Sequence, residues 1–327
     1  MSGFGLAFVG AGVVAELYAK AVERGVSARF TGVFDPDMAA AQRMGRRLAG
    51  VAFSSLDALL ADAATEAVVV MSPNATHADI ARRCLKVGKH VLIEKPVAQT
   101  TAEIDELIEL ARSADRVCMP AHNYIYNHSL QRAKRLIGEG RLGKIASLWI
   151  LYNIHHDEAI AARYGGVLRE VAIHHAYSLI YLLGRPKRVL AAQSRVRSPT
   201  QLHEDQVMIV CEMEGGVLAN LWTSFATDDR TSDPWTVVYK VLGTQGGLNF
   251  TWSDAAFEDA GGPAWGVPNY VDSFWNELTF FLDQAISLRI KPLSTMIDAR
   301  DALLIVEAAE RSIALGGDFQ HPAPGSA

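Results

Sequence analysis

Leu6-Ala7-Phe8-Val9-Gly10-Ala11-Gly12-Val13-Val14-Ala15 is the stretch that decides the fold of this chain. Its first four residues are apolar without a break, as a strand covered on both faces of a parallel sheet must be. Residues 10–15 then fit the pattern GxGxx(G/A), and a helical pattern occupies 12–23. In a strand–turn–helix setting the first glycine permits the tight turn and the second admits a pyrophosphate to the backbone. Ala15 lets the helix pack close to the strand. The helix N-terminus adds free N–H groups and a favourable dipole. Gly10, Ala11, Gly12, Val13 and Val14 are therefore candidate dinucleotide contacts, with a plain glycine-rich turn as the alternative.

The same alternation runs on to about residue 120. Strand-like runs at 30–34, 51–53, 67–71, 91–93 and 117–119 are separated by helical patterns at 36–48, 55–60, 76–87 and 100–113. Strands spaced by such helices build right-handed βαβ units on a parallel sheet. Beyond residue 122 the pattern changes. Helical patterns at 129–137 and 170–183 mix with strand-like runs at 145–152, 188–196, 206–213, 217–225, 236–242 and 248–250, and Gly215-Gly216 marks a hairpin. Two long helical patterns, 271–288 and 298–315, precede a loop tail at 316–327. The expected architecture is α/β in two domains. Residues 1–122 form a doubly wound parallel sheet that binds the dinucleotide. Residues 123–327 form an α+β domain with an open, mostly antiparallel sheet.

Composition excludes several classes of function. The 327 residues suffice for two domains and a sizeable core. A formal net charge of −5 gives no support for binding nucleic acid or an anionic membrane. With no apolar run of spanning length and no charged leader before an apolar segment, the chain reads as cytoplasmic. Cys84, Cys118 and Cys211 have no CxxC spacing and read as small buried hydrophobes in a reducing compartment.

Four further places carry chemistry. Asp35 ends the second strand, where an acid accepts hydrogen bonds from ribose hydroxyls and repels a 2′-phosphate. No arginine follows among Pro36, Asp37 and Met38, which favours NAD over NADP. A helix N-cap is the other role open to Asp35. Ser72, Asn74 and His77 follow the fourth strand and are candidate cofactor contacts, with an ordinary turn as the alternative. Thr76 and Asp79 there read as a variant capping box. Val91-Leu92-Ile93-Glu94-Lys95-Pro96 is a buried strand stopped by proline. That stop fixes Lys95 at the carboxyl end of a strand, where ligands bind in open α/β sheets. Last, Glu170, His174 and Tyr177 lie at i, i+4 and i+7 and share one helix face. A histidine titrating near neutrality is a natural base for an alcohol proton, and a satisfied core histidine is the plainer reading of His174. His155-His156-Asp157 and Glu170, His174 and His175 supply metal-ligand types in no spacing that matches a metal motif, so no metal is expected.

Together these residues resemble the GFO/IDH/MocA family of glucose–fructose oxidoreductase, inositol dehydrogenase and their relatives. The similarity lies in residues 10–15, Asp35, Asn74 to His77, and Gly88-Lys89-His90-Val91 running into Glu94-Lys95-Pro96. It continues in Gly165-Gly166 before His174 and in Asp298-Ala299, Glu307-Ala308-Ala309 and Ser312. The resemblance implies a Rossmann domain, then an α/β domain whose open sheet forms a homodimer or homotetramer. It implies oxidation of a secondary hydroxyl on a sugar, cyclitol or similar polyol, or the reverse reduction. It assigns Lys95 to the reacting oxygen and His174 to its proton, sets Glu94 and Lys95 beside the nicotinamide, and implies a Lys95–Pro96 bond that is often cis.

This chain departs from the family pattern in two ways. Glu170 and Tyr177 stand where relatives commonly carry Asp, which weakens the case for an inositol-like substrate. Tyr124-Ile125 stands where many relatives carry two arginines, which argues against acidic or phosphorylated substrates. The pocket reads as neutral and aromatic, with Tyr124, Tyr126, His155, His156 and Tyr177. Its substrate contacts are Lys95, Tyr124, His155, Glu170, His174 and Tyr177, and loop 227–235 is a candidate cover. The alternative is a non-redox relative: an NAD-binding regulator, or an NAD-using glycosidase that restores its cofactor in each cycle.

Overall fold

The computed structural model describes residues 3–156, 166–197, 203–227, 237–251 and 268–323. Asp157, Gly165, Thr236, residues 228–235 of the expected cover loop and residues 324–327 of the tail lie outside them. In chain order the strands are β1 Phe4–Val9, β2 Ala28–Phe34, β3 Val51–Ala52, β4 Ala67–Val70, β5 His90–Glu94, β6 Cys118–Ala121, β7 Ile145–Asn153, β8 Arg188–Ser194, β9 Gln206–Glu212, β10 Leu218–Ser224, β11 Val238–Gly243 and β12 Gly247–Phe250. The helices are α1 Val13–Arg24, α2 Met38–Arg47, α3 Leu56–Ala61, α4 His77–Lys86, α5 Thr101–Ala114, α6 His128–Gly138, α7 Val167–Glu170, α8 Ala172–Leu183, α9 Pro268–Thr279 and α10 Met296–Ala314.

The chain divides into two compact units. One holds Met1–Tyr126 with Val271–Arg300, and the other Asn127–Tyr270 with Asp301–Ala327. In the first unit six strands lie parallel in the order β3-β2-β1-β4-β5-β6. This is the doubly wound Rossmann order, and it reverses between β1 and β4, so the ligand crevice opens at their carboxyl ends. Ala7, Phe8, Val68, Val69, Leu92 and Ile93 are completely buried, which is why these strands are apolar on both faces. The sixth strand was expected to stop before Pro120. Instead β6 runs through it, because β6 is the sheet edge, where a residue without an N–H is tolerated. Chain from the C-terminal half completes this unit. Trp275 Nε1 donates to Gly25 O at 2.9 Å, and the Arg24 guanidinium, paired with Asp272, lies 4.3 Å over the Trp275 ring. The single helix expected over 271–288 is α9 followed by a π-helical stretch, Phe280–Ser287.

The second unit carries a mixed sheet in the order β12-β11-β7-β10-β9-β8. Only β7 and β10 pair in parallel, and the other neighbours are antiparallel. Gly215 and Gly216 both adopt positive φ in the turn that joins β9 to β10. Burial alternates along β7: Leu148, Ile150 and Tyr152 are buried, while Trp149 is 51% exposed on the other face. The helix expected over 170–183 is broken at Val171 into α7 and α8. Glu170 therefore ends one short helix, and His174 and Tyr177 belong to the next. In the tail, Gln320 bridges to Val189 on β8. Among the described residues no helix is long and apolar enough to cross a membrane.

Candidate active site

The loop after β1 separates the reasons for its two glycines. Gly10 has φ +106°, and a Cβ there would lie 2.7 Å from Met71 O, so the fold itself demands glycine. Gly12 has φ −84°, which any residue adopts, and a Cβ there would meet no protein atom within 4 Å. The open space lies over the N-terminus of α1, where no side chain caps the helix. A side chain at 12 would fill room that the protein does not use, and this fits a pyrophosphate approaching the backbone. Val13 beside it is 66% exposed.

Asp35 faces this loop. Its Oδ2 accepts the Ala11 N–H at 2.8 Å and its Oδ1 accepts the Asp37 N–H at 2.7 Å. Capping of α2 falls to Asp37, which accepts the Ala39 and Ala40 N–H groups. The N-cap alternative for Asp35 is thereby corrected. Its carboxylate is half-buried beside the phosphate loop, where ribose hydroxyls need an acceptor.

After β4, His77 is buried between two carbonyls: Nε2 lies 2.7 Å from Ser72 O and Nδ1 2.8 Å from Pro96 O. A carbonyl only accepts, so a ring N–H of His77 is the donor in either bond. This ring ties the Ser72 loop to the Lys95 turn. Ser72 and Asn74 stay half-buried at the same edge. The capping box expected from Thr76 and Asp79 does not form. Thr76 Oγ1 instead donates toward Pro73 O and Ser72 Oγ, and no side chain caps α4.

The turn after β5 has a cis Lys95–Pro96 bond and leaves Lys95 half-buried at the strand end. Glu94 Oε2 accepts the Lys95 N–H at 3.0 Å. Its Oε1 lies 3.3 Å from Tyr18 Oη on α1, and the same phenol oxygen lies 2.7 Å from Glu277 Oε2 on α9. Burial pushes the Glu94 carboxyl up to about 7, against the pull of the Lys95 charge. Burial, reinforced by the Glu94 charge, holds Glu277 well above the usual carboxylate range. Tyr18 and Glu277 escaped the sequence reading. The available signal was an acid inside the apolar stripe of Phe274, Leu278 and Phe281.

After β6, Tyr124 is buried in the 3₁₀ turn Asn123–Tyr126. His122 Nδ1 lies 2.7 Å from Ser294 Oγ, and burial with the nearby Lys95 charge holds its pKa down to about 3. Tyr126, expected in the pocket, is taken up in this unit's core, its ring 5.3 Å from Phe280 and its hydroxyl on Met119 Sδ.

In the second unit His174 is 7% exposed, and its Nδ1 lies 2.6 Å from Tyr177 Oη. Tyr177 itself is buried, and the phenol fixes the orientation of the imidazole. The adjacent His175 points into the core, with neither ring nitrogen hydrogen-bonded and its ring 6.4 Å from Tyr152. Glu170 is half-buried at the end of α7. His155 and His156 follow β7, both half-buried, and the His156 ring stands edge-on to Phe225 at 4.6 Å. No group of three or more His, Cys, Asp or Glu able to hold a metal occurs among the described residues.

Residues 4–122 match the model of the GFO/IDH/MocA oxidoreductase family with its NAD-binding Rossmann fold, and residues 130–249 match the C-terminal domain of the same family. The chain belongs to the GFO/IDH/MocA family. Inositol 2-dehydrogenase of Rhizobium meliloti (strain 1021) is 25% identical over 326 residues, covering 95% of this chain and 96% of the relative. The 1,5-anhydro-D-fructose reductase of Ensifer adhaerens is 27% identical over 208 residues, 61% of each chain. In fold, the chain is similar to levoglucosan dehydrogenase in complex with NADH, with a TM-score of 0.86 at 20% identity over 99% of this chain and 100% of the other. This GFO/IDH/MocA member is thus an oxidoreductase-family protein with NAD as its cofactor. Gly10, Ala11, Gly12, Val13, Val14 and Asp35 are the residues whose geometry fits that group.

Proposed function

We propose that this protein is an NAD(H)-dependent dehydrogenase or reductase that interconverts a secondary hydroxyl and a ketone on a sugar, cyclitol or similar polyol. The observation that carries the reading is Lys95, placed just past the carboxyl end of β5 with its N–H on Glu94, in an NAD-binding sheet. The names of the inositol and anhydrofructose relatives support the substrate class. The bound nicotinamide supplies the site that takes or returns a hydride. Lys95 holds the reacting oxygen and stabilises its developing negative charge, an effect worth about 3 kcal/mol at a preorganised site. His174 removes the hydroxyl proton in oxidation and returns it in reduction, with Tyr177 steadying its ring through Nδ1.

Ser72, Asn74, His77 and Glu94 complete the cofactor contacts in this reading, and Tyr124, His155, Glu170 and Tyr177 line the substrate. The negative Asp35 beside the loop favours NAD over NADP. Residues 1–122 serve the nucleotide and residues 123–327 the substrate and self-association. The exposed face of the second sheet carries Trp149, Met208, Leu218 and Leu242. Apolar residues gathered on one open face suit a homodimer or homotetramer. The reading also takes the protein as cytoplasmic.

A panel of polyols and sugars assayed with NAD⁺, and of ketoses with NADH, tests it. The reading requires net NADH formation or consumption with at least one polyol or its ketone. Cleavage of a glycoside without net NADH would replace it with the cofactor-recycling alternative.

A further inference from the structure

Tyr18 and Glu277 form with Glu94 a cluster inside the first unit, and hydroxyl–ketone chemistry gives Tyr18 and Glu277 no task. Both carboxyl groups lie within hydrogen-bond reach of one phenol oxygen, at 3.3 Å for Glu94 and 2.7 Å for Glu277. The cluster is sealed: Tyr18 and Glu277 are 0% exposed and Glu94 7%. Two carboxyl groups so placed do not both ionise, because each anion is desolvated and repels the other. At least one proton stays on the pair.

The hydrogen-bond donors decide where that proton sits. Glu94 Oε2 receives the Lys95 N–H at 3.0 Å, whereas Glu277 Oε1 makes no well-formed hydrogen bond and has only the His122 backbone N–H near its carboxyl. A single proton on Glu277 Oε2 completes a one-way chain. Glu277 donates to Tyr18 Oη, Tyr18 donates to Glu94 Oε1, and the Lys95 N–H serves Glu94 Oε2. Without that proton the one hydrogen of Tyr18 serves one acid and leaves the other a poorly paired buried charge. Among the described residues the groups that act on the pair are Lys95 beside Glu94, Tyr18 between the two acids, and the His122 backbone near Glu277. Burial raises both acids, in line with at least one proton staying on the pair.

We propose that Glu277 is a positioning residue that carries the pair's proton and, through Tyr18, holds Glu94 as the single carboxylate of the cluster, a charge that favours the oxidised, cationic nicotinamide over the neutral reduced one. The inference rests on NAD binding and on the place of Glu94 at the carboxyl end of β5. It does not depend on the identity of the polyol or on the role of His174.

Infrared spectra of the full chain at neutral pH read the proton directly. The wild type shows the C=O band of a buried carboxylic acid, Glu277→Gln lacks it, and Glu94→Gln retains it. Should Glu277→Gln not fold, retention of the band in Glu94→Gln assigns it. Calorimetric titration with NAD⁺ and with NADH reads the charge. Glu94→Gln lowers the preference for NAD⁺ over NADH by about tenfold, the scale of one charge facing another through partly buried protein. Tyr18→Phe, which cuts the chain, lowers it in the same direction. A wild type without the acid band, or a band that disappears in Glu94→Gln and survives in Glu277→Gln, overturns the placement of the proton. An unchanged NAD⁺/NADH preference in Glu94→Gln overturns the placement of the charge. Neither readout needs turnover, so failure of the hydroxyl–ketone reading shows separately, in the polyol panel.

Discussion

Asp35 Oδ2 accepts the Ala11 backbone N–H at 2.8 Å, so the acid that ends β2 and the glycine loop that ends β1 act as one device. One carboxylate shapes the loop and, in the proposed reading, sets the charge that the ribose meets. Asp35→Ala removes both. A hydrogen bond to a charged group contributes about 1.5–3 kcal/mol, so NAD⁺ binding weakens by roughly 10- to 100-fold. Discrimination against NADP⁺ falls as well, because the charge that repels the 2′-phosphate is gone. Titration of both nucleotides into wild type and variant checks this. An unchanged NAD⁺/NADP⁺ ratio would remove Asp35 from cofactor selection.

His175 predicts part of the acid sensitivity. Burial lowers its pKa from 6.5 to about 3. The folded ring therefore stays neutral where the unfolded chain already binds a proton. Its contribution is fully present above pH 6.5 and is lost progressively as pH falls toward about 3. His90 and His122, lowered to about 4 and about 3, act in the same sense. Urea unfolding followed from pH 7 to pH 4 should show a shallower loss of stability in His175→Phe than in wild type. Parallel curves would mean that His175 is not buried neutral.

The open sheet predicts self-association. Trp149 pairs across strands with Asn220 and Lys240, and Met208 with Trp222, all on the face away from the buried Leu148, Ile150 and Tyr152. The double variant Trp149→Glu, Met208→Glu places two charges on this face and should sediment as a monomer while keeping the wild-type far-ultraviolet spectrum. A monomeric wild type at the same concentration would contradict the assignment of this face.

The Rossmann half was legible because β1, β4 and β5 carry apolar runs and the first five strands are each followed by a helix. Gly10 and Gly12 could be paired by pattern, but only the backbone separates their reasons: a clash with Met71 O at one, open space at the other. Pro120 misled because a proline reads as a stop, whereas at the sheet edge it costs no ladder bond. The break at Val171 was hidden because the i, i+4, i+7 spacing of Glu170, His174 and Tyr177 fits one helix as well as two. The bond of His77 to Pro96 O and the reach of Glu277 to Tyr18 join distant parts of the chain. Local periodicity carries no record of such pairs, although an acid in the apolar stripe of α9 was a visible anomaly.

The central claim is that Lys95 stabilises the charge on the reacting oxygen, and Lys95→Ala tests it most directly. Steady-state turnover of a polyol that the wild type oxidises is measured together with NADH binding to the same preparation. The account predicts NADH affinity close to that of the wild type and a turnover lower by about 10²–10³, the loss seen when one preorganised donor to a developing oxyanion is removed. Wild-type turnover in Lys95→Ala would contradict it.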